Sequence, residues 1–171
     1  MTIILGYDLI TLREKVDSEA AEARLEELGS LRSLEALGEK VGLLRVLDRL
    51  DEALAVANEA VRQSRFTGDR EQLLTARVRR AQVLQFQGKL DPALIELSDC
   101  VVEAKAHGWS TVEAFALQHR GKVQFDLEDY AAARADFNDG LVIRVRDKAP
   151  SDQIDSSMVA IAVVESFLKD Q

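Results

Sequence analysis

The sequence RGKVQFDLEDYAAARADF, at residues 120–137, carries the pattern that decides the fold. Tyr130, Ala133 and Phe137 follow a short acidic segment and are spaced three and four residues apart. Side chains with this spacing share one face of a helix, which they bury against a neighbour. The stretch therefore predicts the end of one helix, a short turn, and the start of a second helix packed on the first.

The same pattern occurs twice more, each time 40 residues upstream. Five columns of residues keep this spacing: Leu50, Leu90 and Tyr130; Ala53, Ala93 and Ala133; Ala57, Leu97 and Phe137; Ala60, Cys100 and Gly140; and Val41, Ala81 and Gly121. Chance rarely keeps five columns in register, and periods of roughly 20–50 residues are typical of repeat proteins. We expect paired helices, with first helices over about 31–47, 71–87 and 111–127 and second helices from near 51, 91 and 129.

Residues 120–137 resemble a common variant of the tetratricopeptide repeat (TPR) family, which has Arg-Gly in the first helix, Tyr at the turn, and Ala and Asp-Phe in the second helix. Residues 87–93 resemble the same turn. The resemblance extends over about residues 31–146 and implies an all-α fold. This fold is an α-solenoid of about three TPR-like helix-turn-helix repeats, with an N-terminal helix and a C-terminal capping helix. The 40-residue period exceeds the usual TPR length of about 34 and falls in the range of HEAT-type repeats, the alternative fold.

The chain is predicted to have three parts. They are an N-terminal segment (1–30) with a helix from about Glu14 to Leu28, three repeats over 31–150 (31–69, 70–109 and 110–150), and a final segment (151–171) with a helix from about Ser151 to Lys169. The apolar N-terminus lacks the basic leading region and cleavage site of a secretion signal. No window has the roughly 20 apolar residues of a membrane span, so we expect a cytoplasmic protein.

The composition argues against several functional classes. The 171 residues carry a formal net charge of −8, which is unfavourable for an extended nucleic-acid surface. Cys100 is the single cysteine, so no internal disulfide forms, and its small-residue column predicts a buried thiol. His107 and His119 lack the nearby partners that a metal site on one helix needs. Because phosphate-binding loops and nucleophile elbows are absent too, we expect no catalysis, no cofactor and no metal.

Lys40, Arg80 and Arg120 also keep the 40-residue spacing. In the TPR variant that the sequence resembles, the arginine faces an acid in the second helix. Glu96 and Asp136 occupy that position for Arg80 and Arg120. We therefore predict the ion pairs Arg80–Glu96 and Arg120–Asp136, which fix geometry more than they add net stability.

In TPR proteins the first helices line a concave groove, and the resemblance implies that their outward positions contact the ligand. These positions mix cations, amides and aromatic side chains, a composition suited to an extended or helical peptide. They are Arg45, Thr75, Arg79, Gln82, Gln85, Phe86, Phe115, Gln118, His119, Lys122 and Asp126. The cations favour an acidic segment or a free C-terminal carboxylate as the partner. The alternative interpretation is that these residues are solvated helix faces.

The final helix is apolar over nearly its whole circumference, whereas a terminal solenoid helix normally presents a polar face to water. One interpretation is homodimerisation through this helix, and another is that the chain is part of a longer solenoid. The residues predicted to form the interface are Met158, Ile161, Val164, Phe167 and Leu168.

The leading functional hypothesis is a non-catalytic scaffold or adaptor that binds an unidentified protein or peptide in the groove. One alternative is a regulatory or sensory module that acts in trans on a transcription factor or answers a small peptide. The other alternative is a self-assembling structural module. Neither nucleic acid nor a membrane is expected as a partner.

Overall fold

Eight helices and a two-stranded hairpin make up residues 3–169, the part of the chain that the computed structural model describes. The elements are β1 (Ile4–Tyr7), β2 (Glu14–Val16), α1 (Ser18–Leu28), α2 (Leu34–Val46), α3 (Leu50–Thr67), α4 (Arg70–Phe86), α5 (Leu90–His107), α6 (Ser110–Asp126), α7 (Tyr130–Arg146) and α8 (Ser151–Lys169). The pairs α2 and α3, α4 and α5, and α6 and α7 stack in chain order, and α8 packs on α7. The first helices α2, α4 and α6 also contact one another in succession. The predicted all-α helical-repeat fold is thereby confirmed.

The long period comes from long helices joined by short turns. α4 has 17 residues and α5 has 18. Gly68 and Gly108 end α3 and α5 with φ angles of 74° and 70°, a left-handed conformation that favours glycine. Asp69 then starts α4 by accepting a hydrogen bond from the backbone N–H of Gln72 at 3.0 Å. Each helix is therefore longer than in a unit of about 34 residues.

Complementary side-chain sizes hold each helix pair together. The paired positions are Val41 with Ala57, Ala81 with Leu97, and Gly121 with Phe137. As the second-helix residue grows from Ala to Leu to Phe, the first-helix residue shrinks from Val to Ala to Gly. A Cβ atom on Gly121 would lie only 2.6 Å from Cε1 of Phe137. Small residues at these crossings are what allows the helices to approach closely.

Both predicted ion pairs are present. Arg120 Nε and Nη2 donate to Asp136 at 2.7 and 2.8 Å, and Arg80 Nε donates to Glu96 Oε2 at 3.2 Å. Arg77 also donates to Glu96, at 3.3 Å, a contact that the repeat spacing did not predict. Each pair joins the first and second helices of one repeat.

The N-terminal segment differs from the prediction. Glu14 lies in β2, which pairs antiparallel with β1, and α1 begins only at Ser18. Asp17 caps α1 by accepting the N–H of Ala20 at 3.0 Å, so its backbone is extended and the helix does not run back to Glu14. Asp8 closes the loop between the strands by accepting two backbone N–H groups.

Packing within the chain leaves most apolar side chains of the last helix, α8, buried or half-buried. Val164 is fully buried, and Phe167 packs edge-on against Phe125 with ring centroids 5.1 Å apart. Val164 is thus a core residue, which corrects its assignment to an intermolecular surface. Ile161, Phe167 and Leu168 are half-buried, and Met158 is 56% exposed. Self-association through α8 remains a prediction that rests on a much smaller apolar surface. Among residues 3–169, no helix is both long enough and apolar enough to cross a membrane.

Candidate binding groove

The outward side chains of α2, α4 and α6 form one face of the solenoid, which we call the groove. The hairpin covers the end of this face formed by the last turns of the three helices, and a cavity lies beside it. Of the eleven predicted groove residues, four contact the hairpin: Arg45, Phe86, Lys122 and Asp126. Gln85 is hydrogen-bonded to Asp126, and Gln82 is buried outside the cavity. The cavity is lined by Thr75, Arg79, Phe115, Gln118, His119 and again Lys122.

Glu14 of the hairpin lies between two cations of the groove. Its carboxylate accepts hydrogen bonds from Arg45 at 3.1 and 3.2 Å and lies 3.5 Å from Nζ of Lys122. All three side chains are less than one-tenth exposed. Burial alone would raise the pKa of Glu14, but Lys122 and Arg45 outweigh that effect and lower it. The groove therefore already binds one carboxylate, presented by an extended strand of the same chain.

Arg13 extends this contact toward α4 and α6. It donates to Asp126 Oδ2 at 2.7 Å, and Gln85 donates to the same oxygen at 2.7 Å. The guanidinium groups of Arg13 and Arg45 lie 4.3 and 4.5 Å from the centroid of the Phe86 ring. Stacking of this kind is favourable between arginine and an aromatic face. These contacts fix the strand β2 across the ends of the first helices.

Two further side chains fasten the hairpin to the C-terminal part of the solenoid. Leu12 is 2% exposed and packs in a core cluster with Phe125 of α6. The hydroxyl of Tyr7 lies 3.1 Å from Oγ of Ser156 on α8, and its ring lies 5.3 Å from Nζ of Lys122. The hairpin is therefore held by both apolar and polar contacts.

The cavity beside the hairpin has a volume of about 330 Å³ and is lined by residues of the hairpin, α4, α6, α7 and α8. Arg144 of α7 donates through Nη1 to Ser157 Oγ at 2.7 Å and to the carbonyl of Gln153 at 2.8 Å. Oε1 of Gln118 accepts from Ser157 at 2.9 Å and from Arg144 at 3.3 Å. Nε of Arg144 and Nε2 of Gln118 are buried without a hydrogen-bond partner among the described residues. Two donors of this network therefore lack an acceptor.

The charges around this cavity are unbalanced in the same direction. Within residues 3–169, neither Arg79 nor Arg144 forms an ion pair with a carboxylate, and Glu14 is shared by Arg45 and Lys122. Asp152, the other acid in the lining, is exposed on the first turn of α8. An unpaired buried cation is costly, so the arrangement suits a ligand that supplies negatively charged acceptors.

His119 lines the cavity but adds no positive charge to it. Burial is the main cause that lowers its pKa well below the ordinary value of 6.5, and the neighbouring Lys122 and Arg45 lower it further. Its ring meets Phe115 edge-on at a centroid distance of 4.9 Å. His119 is therefore uncharged at neutral pH.

Solved structures share the helical-repeat fold. The crystal structure of the apo form of RapI matches with a TM-score of 0.66 and 15% sequence identity, over 89% of this chain and 57% of RapI. BtubC (BKLC) from P. vanneervenii matches with a TM-score of 0.65 and 14% identity, over 89% of this chain and 65% of BtubC. The chain thus spans less than two thirds of either protein. Both have a TPR-like fold, and at these identities the similarity shows the fold alone. No family model and no curated protein sequence matches the chain.

Sequence reasoning missed the site residues that lie outside the first helices. Glu14 and Tyr7 belong to a segment predicted to be partly helical, and Arg144 belongs to a second helix. The β-branched residues of the first 16 positions, and the turn-forming Asp8 between them, were signals that favoured a pair of strands. Nothing in the repeat columns marks Arg144, because its partners are Gln118 and residues of α8.

Proposed function

We propose that this chain is a non-catalytic protein-interaction module that binds an acidic segment of a protein or peptide in the groove. The helical-repeat fold supports this role because stacked repeats form extended surfaces for partners. Arg79, Phe115 and Lys122 would contact the segment in the cavity beside the hairpin. Aromatic and arginine side chains of this kind dominate the binding energy of many interfaces.

One observation carries the proposal. On a chain with a net charge of −8, the cavity collects Arg79, Lys122 and Arg144, and the buried carboxylate facing them is Glu14. The contact of Glu14 with Arg45 and Lys122 illustrates how a partner's carboxylate would be held. Charge-assisted hydrogen bonds of this type are about twice as strong as neutral ones.

The test is capture of partners from a lysate of the native host, followed by binding of the segment responsible. Wild-type protein is compared with Phe115→Ala, which removes a half-buried ring of the cavity, and with Phe66→Ala. Phe66 is a matched control because it is 90% exposed on α3 and does not line the cavity. Circular dichroism first establishes that both variants fold.

We expect a partner that wild type and Phe66→Ala retain and that Phe115→Ala loses. A synthetic peptide of its most acidic segment should then bind wild type with an affinity that falls as salt is added. Retention of the partner by Phe115→Ala at wild-type level, or binding only through a basic segment, would contradict the proposal.

A regulatory form of this function is favoured by the hairpin itself. Glu14 occupies Arg45 and Lys122, which an acidic partner would otherwise contact. A partner that displaces the hairpin would change the surface presented to other proteins, as a module acting in trans requires. Protection of the hairpin amides from hydrogen exchange distinguishes the two forms, because a displaced hairpin loses protection when the peptide binds.

A further inference from the structure

A second cavity lies between α2, α3 and α4, away from the hairpin. Its volume is about 280 Å³, and no residue of the hairpin lines it. The floor is formed by buried apolar side chains, among them Val41, Ala57, Ala60 and Ala76. The hydroxyl of Ser64, also in the lining, already donates to the carbonyl of Ala60 at 2.8 Å. The floor of the cavity is therefore apolar, and the hydroxyl of Ser64 needs no further partner.

The residue sizes in the repeat columns explain why this cavity is open. Ala57 occupies the position that Leu97 fills in the second repeat and Phe137 fills in the third. Val41 is larger than its counterpart Ala81, but it does not fill the space left by the missing side-chain atoms. The first repeat thus keeps open a space that the later repeats close with their own side chains.

Arg79 stands at the edge shared by this cavity and the one beside the hairpin. Its guanidinium lies against Gly38, where a Cβ atom would be only 2.9 Å from Nη1. Arg77 and Arg80 on the same helix both pair with Glu96, whereas Arg79 forms no ion pair or hydrogen bond within residues 3–169. Its closest aromatic neighbour, Phe115, is 5.8 Å from the guanidinium. Burial without a carboxylate lowers the pKa of Arg79, so the charge stands uncompensated.

We propose that this cavity binds a small monocarboxylate with an apolar chain, whose carboxylate pairs with Arg79 while the chain lies on Val41, Ala57 and Ala60. A carboxylate accepts two parallel hydrogen bonds from a guanidinium, which suits an arginine that has no carboxylate partner within residues 3–169. Mostly apolar pockets with a few polar groups at one end are typical of small-molecule sites. Glu35 also lines the cavity and is exposed on the first turn of α2. Its negative charge would repel a second carboxylate, so the ligand is expected to carry only one.

The proposal is tested by calorimetric titration of the full chain with octanoate, and with octylamine as a probe of opposite charge. Arg79→Met removes the cation and keeps an apolar stem, and Arg62→Met is its matched control on the exposed side of α3. The double variant Val41→Ala/Ala57→Leu installs the residue pair of the second repeat, Ala81 and Leu97, and so fills the cavity with a combination that already packs in this chain.

We expect octanoate to bind wild type and Arg62→Met equally, to bind Arg79→Met about ten-fold or more weakly, and not to bind the double variant. Phe115→Ala should bind octanoate like wild type, so a failure of the peptide-binding proposal does not affect this result. The assignment is overturned if octanoate does not bind, if octylamine binds as well, or if the double variant, folded by circular dichroism, still binds octanoate. It is equally overturned if a short peptide with a free C-terminal leucine binds this cavity more tightly than octanoate.

Discussion

At Gly121, α6 passes so close to α7 that Phe137 occupies the space of a side chain. Alanine is the better helix former by about 1 kcal/mol, which alone would stabilise a Gly→Ala variant. Here the added methyl group would lie 2.6 Å from Phe137 Cε1, and a buried ring has little room to move. We expect Gly121→Ala to lower the free energy of unfolding by about 1–3 kcal/mol because overpacking outweighs propensity. Urea unfolding followed by circular dichroism measures the change.

Gly42 provides the control for that variant. It lies inside α2, and a Cβ atom there would meet nothing within 4 Å. Gly42→Ala should therefore raise the free energy of unfolding by about 0.5–1 kcal/mol. If both substitutions stabilise the chain, the ring of Phe137 is able to move and make room for a methyl group at Gly121.

Single residues were predictable where the repeat relates them. Arg80 and Arg120 were paired correctly with Glu96 and Asp136 because each pair lies 16 residues apart within one repeat. Arg79, one position away on the same helix, lacks such a partner. That it lines two cavities is visible only in the structure. The 40-residue spacing predicts contacts that recur in several repeats, but it does not predict contacts that occur in one repeat only.

The elements show the same limit. Seven helices, α2 to α8, follow from period and helical spacing, and the structure places them close to the predicted bounds. The hairpin was not predicted, since its stabilising partners are far along the chain: Arg13 meets Asp126, 113 positions away, and Tyr7 meets Ser156, 149 positions away. A two-stranded hairpin is marginally stable alone and depends on such packing.

Glu14 tests whether the hairpin depends on its ion pairs. Glu14→Gln leaves Arg45 and Lys122 buried without their carboxylate, and breaking a buried pair in this way costs about 3–5 kcal/mol. We expect the free energy of unfolding to fall by that order, with hairpin amides exchanging hydrogen faster than those of α4 and α5. Hydrogen exchange read by mass spectrometry resolves the two regions.

Glu26→Gln is the matched control, since Glu26 is an exposed acid on α1. It should change stability by less than about 0.5 kcal/mol. A Glu14→Gln chain as stable as the control would mean that Leu12 and the strand pairing hold the hairpin without the ions.

The net charge of the whole molecule does not show where its positive and negative side chains lie. A formal charge of −8 disfavours an extended basic surface, yet the buried face of the groove is positive. Counting charges along the sequence averages these regions, because Arg45 of the first repeat and Lys122 and Arg144 of the third repeat come together only when the repeats stack. Under the proposed function, we expect the acidic exterior and the basic cavity together to favour an anionic segment small enough to enter.

The pH dependence of global stability follows from the same buried charges. Folding lowers the pKa of His119 below its ordinary value of 6.5 and the pKa of Glu14 below 4.5. In both cases the unfolded chain binds more protons than the folded chain as the pH falls, so the free energy of unfolding falls with pH. The contribution of His119 is present above about pH 6.5 and is lost below it, and the contribution of Glu14 is lost below about pH 4.5.

Urea midpoints measured from pH 7.5 to pH 4 separate the two groups. Between pH 6.5 and 5, wild type should lose stability with a slope that approaches about 1.4 kcal/mol per pH unit, the value for one proton. His119→Gln should lose this slope and keep the decline below pH 4.5, whereas His107→Gln, at an exposed position that ends α5, should retain both. If His119→Gln keeps the wild-type slope, the histidine is not buried as a neutral side chain.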